Sequence, residues 1–217
     1  AIKGTKAGQK EGMPLKDLLE KILPVLEEGR SLRTVSLNEE ELKLLKGFQL
    51  LTIKPVLYVA NVNEDGFESN QFLNEIYDIA TEEGSEVVPI CAELEAEISG
   101  LINEEKIEFL KELGLKESGL DRLSRAGYKL LGLHTYFTAG EKEVRAWTIN
   151  IGDSAPKAAG KIHTDFERGF IRAETVTFDD YIQNNGEKGS KEAGKLRSEG
   201  KEYIVKDGDV IHFLFSV

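Results

Sequence analysis

The sequence is poor in the features that cross-link a protein or anchor it in a membrane. Its 217 residues include a single cysteine, Cys91, so no disulfide can form within the chain, which fits a reducing environment. It has no run of about 18 apolar residues, the length that a membrane-spanning helix needs. No secretory signal pattern is visible at its start. These absences predict a cytoplasmic globular protein without a membrane partner.

Positive charge and histidine are also scarce. Lysine and arginine number 28 against 39 aspartates and glutamates, a net charge of −11, which argues against broad nonspecific binding to nucleic acid and against a DNA partner. The three histidines, His134, His163 and His212, are too scattered for a zinc site defined by spacing. No serine or cysteine lies in a nucleophile motif. We therefore expect no metal site and no catalytic residue within this chain.

The chain is organised around the apolar stretch from Lys54 to Glu64. Pro55 can only open a strand, because it has no N–H for the ladder. Residues 56–60 show no polar alternation, which predicts a strand buried on both faces, as in a parallel sheet covered by helices. Polar residues just past the carboxyl end of such a strand lie where open α/β sheets bind ligands, which marks Asn61 and Glu64. The alternative is that Asn61 caps the strand and that Glu64 begins a simple turn.

Helical patterns surround this strand and a second one at residues 86–92. Residues 1–12 are rich in glycine and lysine, and we expect them to be flexible. Pro24 is expected to kink or end the first helix. Ser36 and Glu39 form a capping-box pattern before the second helix. The predicted helices are 14–28, one opened by Ser36, 70–82 with Phe72, Ile76 and Ile79 inward and Gly84 after it, 93–99, 104–113 and 119–131. Ser118, with Asp121 three residues later, is expected to start the last of them.

Only two strands in residues 1–133 have the composition of buried parallel strands. Two parallel strands do not form a stable covered sheet, since three or more are needed. The alternation of helices and strands therefore predicts the second half of a doubly wound α/β domain whose first strands are not in this chain.

The pattern changes at His134. We predict strands at 135–138 and 145–149, a helix over 155–166, a strand over 170–178, a short helix over 191–198 and a closing hairpin of 203–205 with 210–217. This pattern predicts a small α+β domain with a β-grasp fold.

One motif resembles a phosphate-binding loop and is rejected. Residues 189–196 read Gly-Ser-Lys-Glu-Ala-Gly-Lys-Leu, but Leu196 cannot ligate Mg²⁺ and the segment follows a polar loop instead of a buried strand. From composition and spacing alone, the protein is a two-part α/β protein with a possible ligand edge at residues 61–64 and 91–92.

Several motifs carry a resemblance to a known family over residues 14–217. They are Tyr-Val-Ala-Asn-Val-Asn-Glu-Asp-Gly at 58–66, Val-Pro-Ile-Cys-Ala at 88–92, Ser-Arg-Ala-Gly-Tyr at 124–128, Thr-Tyr-Phe-Thr-Ala-Gly at 135–140, Arg-Ala-Trp-Thr at 145–148, Ala-Gly-Lys-Ile-His-Thr-Asp-Phe-Glu at 159–167 and Tyr-Ile-Val-Lys-Asp-Gly-Asp-Val at 203–210. The chain resembles the C-terminal portion of the YchF / Obg-like ATPase family, which is related to translation-factor GTPases.

The resemblance implies a P-loop NTPase-type fold and assigns each segment of the chain to a part of that fold. Residues 1–34 would be the returning arm of a helical hairpin, residues 35–133 the second half of the nucleotide-binding domain, and residues 134–217 a β-grasp TGS domain. The P-loop, the Mg²⁺-binding residues and the switch regions would lie outside this chain. The implied function is a ribosome-associated ATPase that uses ATP, or GTP, with Mg²⁺ in the intact protein.

The base-recognition motif is altered in an informative way. GTPases of this class end the strand in Asn-Lys-x-Asp, whose aspartate accepts two hydrogen bonds from guanine. Here Val62 and Glu64 occupy the second and fourth positions, which should weaken the guanine preference. The resemblance assigns nucleotide binding to Asn61, Val62, Glu64, Cys91 and Ala92. Asn61 would hold the base or its loop, Val62 would offer a backbone group and an apolar surface, and Cys91 and Ala92 would line the other side of the base.

A second candidate surface lies in the C-terminal part. Residues 186–206 carry six lysines and arginines against four glutamates, and Lys191 and Lys195 would share one face of a helix. The resemblance makes Lys188, Lys191, Lys195 and Arg197 candidates for contact with the ribosome or ribosomal RNA; the alternative is a solvated basic loop. Three functions remain open: an ATPase, a GTP-preferring member of the family, and a non-catalytic ribosome- or RNA-binding module regulated by nucleotide.

Overall fold

The computed structural model describes residues 13–67, 70–140 and 142–216, so the prediction for residues 1–12 lies outside the described residues. The chain divides into two units between Leu130 and Leu131, where the predicted boundary is 133/134. The predicted class, a mixed α/β unit followed by a β-rich unit, is confirmed. No helix in the described ranges is long and apolar enough to cross a membrane.

The described residues of the first unit form a two-stranded parallel sheet with six helices. Strands β1 (Leu57–Asn61) and β2 (Glu86–Ile90) pair in parallel, with Leu57 opposite Glu86 and Asn61 opposite Ile90. The elements are α1 Met13–Glu27, α2 Glu39–Leu45, β1 Leu57–Asn61, α3 Gln71–Glu83, β2 Glu86–Ile90, α4 Ala92–Ser99, α5 Asn103–Glu112 and α6 Gly119–Leu130, with short 3₁₀ turns at Leu32–Thr34, Lys46–Phe48, Leu51–Ile53 and Glu64–Phe67.

Two apolar clusters hold this unit together. One joins α1 to the segment that follows it, through Leu18, Ile22, Leu32 and Leu45. The other lies under β1 and contains Ala60, Val62 and Leu73. The second cluster fixes the end of β1 against α3, which is the part of the fold that positions the candidate site.

Side chains and a left-handed glycine cap the ends of helices α2 and α3, and one of the predicted caps is wrong. The predicted capping box at Ser36 is wrong: Asn38 caps α2, since its side chain accepts from the Glu41 N–H at 2.9 Å while the Glu41 carboxylate accepts from the Asn38 N–H at 2.8 Å. At α3 the caps are Asn70 and Gly84, with Gly84 left-handed at φ 66°. The predicted limits of α3 are therefore correct to one residue.

Pro24 does not end α1. The helix continues through it to Glu27, and the Glu28 N–H donates to the Pro24 carbonyl at 3.0 Å. The ring costs the helix one internal donor, but the buried Leu18 and Ile22 earlier in the helix hold it in place.

The inward face of α3 differs from the predicted one. Phe72 and Ile79 are 75% and 50% exposed, whereas Leu73 and Ala80 are buried. Both sets of residues have helical spacing, so periodicity alone did not determine which face of α3 packs inward. Val59 is also 46% exposed, so the prediction that both faces of β1 are buried is wrong in this structure.

A half-buried ion pair ties the start of the sheet to the segment after α1. The Glu83 carboxylate accepts from Ser31 Oγ at 2.6 Å, from Tyr58 Oη at 2.7 Å and from Arg33 Nη1 at 2.9 Å. Arg33 also donates from Nε to the Lys54 carbonyl at 3.1 Å. These hydrogen bonds, that from Ser31 foremost, lower the pKa of Glu83, and the bond to Glu83 raises the pKa of Tyr58.

The second unit is a five-stranded sheet in the order β4-β3-β7-β5-β6 with helix α7 packed on one face. Its elements are β3 Leu133–Ala139, β4 Val144–Asn150, α7 Ala155–Ile162, α8 Thr164–Arg168, β5 Phe170–Thr177, α9 Phe178–Gln183, α10 Glu187–Glu192, β6 Arg197–Glu199 and β7 Asp209–Phe215. The core between sheet and helix includes Tyr136, Ile149, Ala158, Ala173 and Ile211. Tyr136 is fully buried and donates its hydroxyl to the Ala158 carbonyl at 2.9 Å.

The closing hairpin predicted here is wrong. β7 pairs antiparallel with β5 and parallel with β3, so it is the central strand of the sheet. Residues 203–205 form only an isolated bridge between Ile204 and Ser154. The segment has β-forming residues, but its pairing partner is distant in sequence, and local patterns do not encode that.

The helices of the second unit also depart from the predicted ones. The helix predicted over 155–166 breaks at His163, whose extended backbone separates α7 from α8. Phe178 begins α9, capped by Thr177, instead of ending a strand. The helix predicted over 191–198 is α10, which ends at Glu192. Lys191 and Lys195 therefore do not share a helix face.

Candidate nucleotide-base site

The candidate site is the edge where β1 and β2 end together. Their parallel register places Asn61 beside Ile90, and the Val62 N–H extends the pairing by donating to the Ile90 carbonyl at 2.8 Å. The two loops that leave this edge begin at Val62 and at Cys91. The structure thus brings together the two segments that the sequence analysis singled out.

One side chain links the two loops. Asn61 Oδ1 accepts a hydrogen bond from the backbone N–H of Ala92 at 3.0 Å, where Ala92 is the first residue of α4. That N–H belongs to the first turn of the helix, where backbone donors lack helical partners. Asn61 therefore holds the second loop in position.

The side chains of Val62 and Cys91 do not reach this edge. Val62 is 7% exposed and packs in the cluster with Ala60 and Leu73. Cys91 is 4% exposed. The apolar surface expected of Val62 is therefore buried in this structure, whereas the backbone group expected of it remains at the end of β1.

Glu64 is the free carboxylate at the edge. Its side chain is exposed, and Glu64–Phe67 forms a 3₁₀ turn closed by the Gly66 N–H donating to the Asn63 carbonyl at 2.9 Å. Gly66 fits closely under Val62, since a Cβ on Gly66 would lie 3.1 Å from the Val62 Cβ. The turn alternative is thus structurally correct for residues 64–66, and it leaves the Glu64 side chain exposed to solvent.

A second layer behind the edge was not predicted from the sequence. The Glu95 carboxylate is buried and accepts from the N–H groups of Gly119 and Leu120, at 2.6 and 3.1 Å, so a residue of α4 caps α6. A Cβ on Gly119 would lie 2.7 Å from Glu95 Oε1. Arg122 of α6 then donates from Nη2 to the Pro89 carbonyl at 3.0 Å, next to the end of β2.

The only sequence signal for this layer is the capping pattern of α6. Ser118 and Asp121 form it as predicted: Ser118 Oγ donates to the Asp121 carboxylate at 2.6 Å and accepts from the Asp121 N–H at 3.1 Å. The Ser118 hydrogen bond lowers the pKa of Asp121. A buried Glu95 is not distinguishable from surface glutamates in the sequence.

The basic residues of the second unit fall into two groups. Lys188 and Lys191 have no ion-pair partner within the described ranges. Lys195 is paired with Asp180 at 3.3 Å. Arg197 donates to Glu199 at 3.0 Å and to Tyr203 Oη at 3.1 Å, and lies 3.7 Å from the buried Asp209.

The bonds of Arg197 are part of an internal network. Tyr203 Oη donates to Asp209 at 2.7 Å, and burial, followed by this bond, raises the pKa of Tyr203 to about 12. Arg197 therefore neutralises a buried acid. Of the four candidate contacts, Lys188 and Lys191 are the two whose charges are unpaired in the described structure.

A metal site does not emerge from the geometry: no group of three or more histidine, cysteine, aspartate or glutamate side chains in the described ranges is arranged to hold a metal ion. The fold defines a parallel α/β unit, with a candidate ligand edge at the ends of β1 and β2, followed by a β-rich unit.

The comparisons with known proteins agree with this class. A family model named YchF-GTPase_C, described as "Protein of unknown function (DUF933)", matches residues 133–216. The chain is 59% identical over 215 residues to the ribosome-binding ATPase YchF of Haemophilus influenzae, and 54% identical over 204 residues to that of Bacillus subtilis. These matches cover 99% and 93% of this chain, and 59% and 56% of the relatives.

The comparison with solved structures also finds a YchF protein. The YchF GTPase of Schizosaccharomyces pombe superposes with a TM-score of 0.81 at 35% identity, over 94% of this chain and 55% of that one. A GTP-binding protein of Pyrococcus horikoshii shares the fold alone, at 15% identity and a TM-score of 0.54, over 83% of this chain and 51% of that one. The chain belongs to the YchF family and spans about three fifths of the length of the curated relatives it matches.

Proposed function

We propose that this chain carries the base-contacting edge and the ribosome-contacting unit of a ribosome-binding ATPase. The observation that carries the proposal is the Asn61 to Ala92 hydrogen bond, because it ties the start of α4 to the end of β1, from which the segment with the exposed Glu64 leaves. The proposal is supported by relatives named ribosome-binding ATPase over nearly the whole chain.

The arrangement favours adenine over guanine. A carboxylate that pairs with guanine must meet two donors on one edge of the base, and adenine has neither of them. Glu64 is one methylene longer than the aspartate used for that purpose, and Val62 packs inward, so no lysine stem lies against the base. A site that does not engage guanine's donors loses most of its ability to prefer guanine.

Phosphate chemistry would come from elsewhere in the longer protein. Phosphoryl transfer depends on positioning of the phosphates and on Mg²⁺. The 217 residues contain no phosphate-binding loop, since the one similar segment, at residues 189–196, was rejected above. We expect the 217-residue chain alone to show no ATP turnover, and a longer protein that carries a P-loop to hydrolyse ATP. Turnover by the verified 217-residue chain would overturn this division of labour.

A GTP-preferring enzyme and a non-catalytic ribosome-binding module are the alternatives. Competition of ATP and GTP for the longer protein separates the first from our proposal. Co-sedimentation with ribosomes separates the second: ribosome binding by residues 134–217 alone, together with an absence of turnover in the longer protein, would favour it. In our proposal residues 134–217 form a TGS domain, and residues 1–34 a returning hairpin arm.

A further inference from the structure

An arginine stacked on the only tryptophan of the chain forms a rigid cationic surface on the edge strand of the second unit. The Arg145 guanidinium carbon lies 4.1 Å from the centroid of the Trp147 ring. Both residues belong to β4, which is the outermost strand of the sheet. They are two residues apart on a strand, so they project from the same face.

Two neighbours on β3 hold the tryptophan ring in place. Its indole N–H donates to Thr138 Oγ1 at 2.9 Å, and Tyr136 lies directly opposite it on β3 with the two rings at 15° to each other. Tyr136 is itself fixed through its hydroxyl to Ala158. The ring beneath Arg145 therefore needs no rearrangement before a ligand binds.

The guanidinium has one covered face and one available face. Trp147 covers the first, and the Arg145 side chain remains 55% exposed. Glu143, 70% exposed, approaches one N–H edge at 3.9 Å, a weak pairing. The guanidinium is planar and stacks on aromatic faces, so its open face suits a flat ring more than a carboxylate, which needs the N–H edges.

The surroundings supply further positive charge. Helix α7 packs on the same face of the sheet, since Tyr136 reaches it, and carries Lys157 and Lys161 one turn apart. Lys157 is 65% exposed and only 3.9 Å from Asp153, and Lys161 has no ion-pair partner within the described ranges. A flat, cationic platform, with lysines on a helix that packs against the same sheet face, is a combination suited to unpaired nucleotides, which bind by stacking of the base and attraction of the phosphate.

We propose that Arg145, stacked on Trp147, is a binding platform for an unpaired RNA base. The base stacks on the open face of the guanidinium, which is then sandwiched between the base and the indole. This inference rests on the proposed ribosome association, and it places the RNA contact on β4, whereas the basic residues of 188–197 belong to other elements.

The test uses the full chain and a labelled single-stranded oligoadenylate, with inorganic polyphosphate as a probe that has charge but no bases. Fluorescence anisotropy gives the affinity, and the emission of Trp147 reports on the platform, because the chain has no other tryptophan. We expect wild-type protein to bind oligoadenylate with a change in tryptophan emission, and polyphosphate without one.

Two arginine-to-lysine variants separate stacking from charge. Arg145→Lys keeps the charge and loses the planar group, so we expect affinity to fall about tenfold with an unchanged dependence on salt. Arg168→Lys, at an exposed position without an ion pair in the described ranges, is the matched control and should bind like wild type. Thermal unfolding of each variant verifies that the fold is intact.

The outcomes are distinguishable from those of the proposed function. Equal affinity for Arg145→Lys and wild type, or a wild-type chain that does not bind oligoadenylate, would overturn the platform. Co-sedimentation of wild-type chain with ribosomes in that case would leave the proposed function standing. Binding of Arg145→Ala with only a reduced salt dependence would assign Arg145 to a phosphate contact and would also overturn the stacking proposal.

Discussion

The Asn61 side chain and the Ala92 backbone are joined by a 3.0 Å hydrogen bond across the carboxyl ends of two parallel strands. This bond makes the two loops of the candidate site a single structural unit. It also gives Asn61 a defined task, holding the second loop, that does not require direct contact with the base.

Replacing Asn61 with alanine should loosen the second loop. Ala92 N–H would then be satisfied only by water, so we expect faster amide exchange there and a loss of stability of about 1 kcal/mol or less. In the longer protein, nucleotide affinity should fall. Asn63→Ala, at an exposed neighbouring position, is the control. Unchanged exchange at Ala92 in Asn61→Ala would show that the bond does not hold the loop.

Introducing lysine at Val62 should damage the fold before it alters specificity. The side chain is buried in an apolar cluster, and an unpaired charge there costs several kcal/mol unless it is neutralised or displaced. We expect Val62→Lys to lose about 3 kcal/mol in urea unfolding, whereas Asn63→Lys should change stability little. A Val62→Lys variant as stable as wild type would contradict the inward position of Val62.

Acidification should weaken the ion pair at Glu83. Its pKa is lower in the folded chain than its ordinary value of 4.5, so the pair contributes stability above that value, and the contribution is lost as the pH falls through the folded pKa. We expect Glu83→Gln to cost about 2 kcal/mol at pH 7, because Arg33 keeps only a neutral partner. Below about pH 4.5 the variant and wild type should converge.

Unfolding curves at several pH values test this, with Glu82→Gln, at the exposed neighbouring position, as the control. A stability difference between Glu83→Gln and wild type that stays constant from pH 7 to pH 3 would show that ionisation of Glu83 does not stabilise the fold.

Removing the Glu95 carboxylate should detach α6 from α4. Gly119 and Leu120 would lose the acceptor for their N–H groups, and we expect Glu95→Ala to lose about 2 kcal/mol of stability. Glu97→Ala, two residues along on the exposed side of the same helix, should be close to neutral. Equal effects of the two substitutions in chemical denaturation would refute the capping role of Glu95.

Local chemistry in the sequence predicted the parts of the fold that local chemistry determines. Asn70 and Gly84 delimit α3, Ser118 starts α6, and the polar end of β1 lies beside the end of β2 as expected for parallel strands. Local chemistry could not predict strand pairings between segments that are distant in sequence. β7 lies between β3 and β5, and nothing near residues 209–215 identifies those partners.

The candidate site shows the same limit. The sequence located Asn61, Glu64 and Ala92, but the direction of the Val62 side chain depends on packing against Leu73 and could not be read from its position in the motif. Glu95 caps a helix that is distant in sequence, so no sequence pattern distinguished it. Arg145 and Trp147 share one face of β4, but the sequence does not show that the guanidinium stacks on the ring.

The most direct test of the account is the ATP and GTP affinity of the longer protein, compared between wild type and Glu64→Asp. The account predicts that wild type prefers ATP, and that Glu64→Asp, which shortens the carboxylate at the exposed edge while Val62 stays in the core, moves the affinity ratio toward GTP by about tenfold or more. An ATP to GTP ratio that is the same in both proteins would contradict the assignment of residues 61–64 as the base-recognition edge.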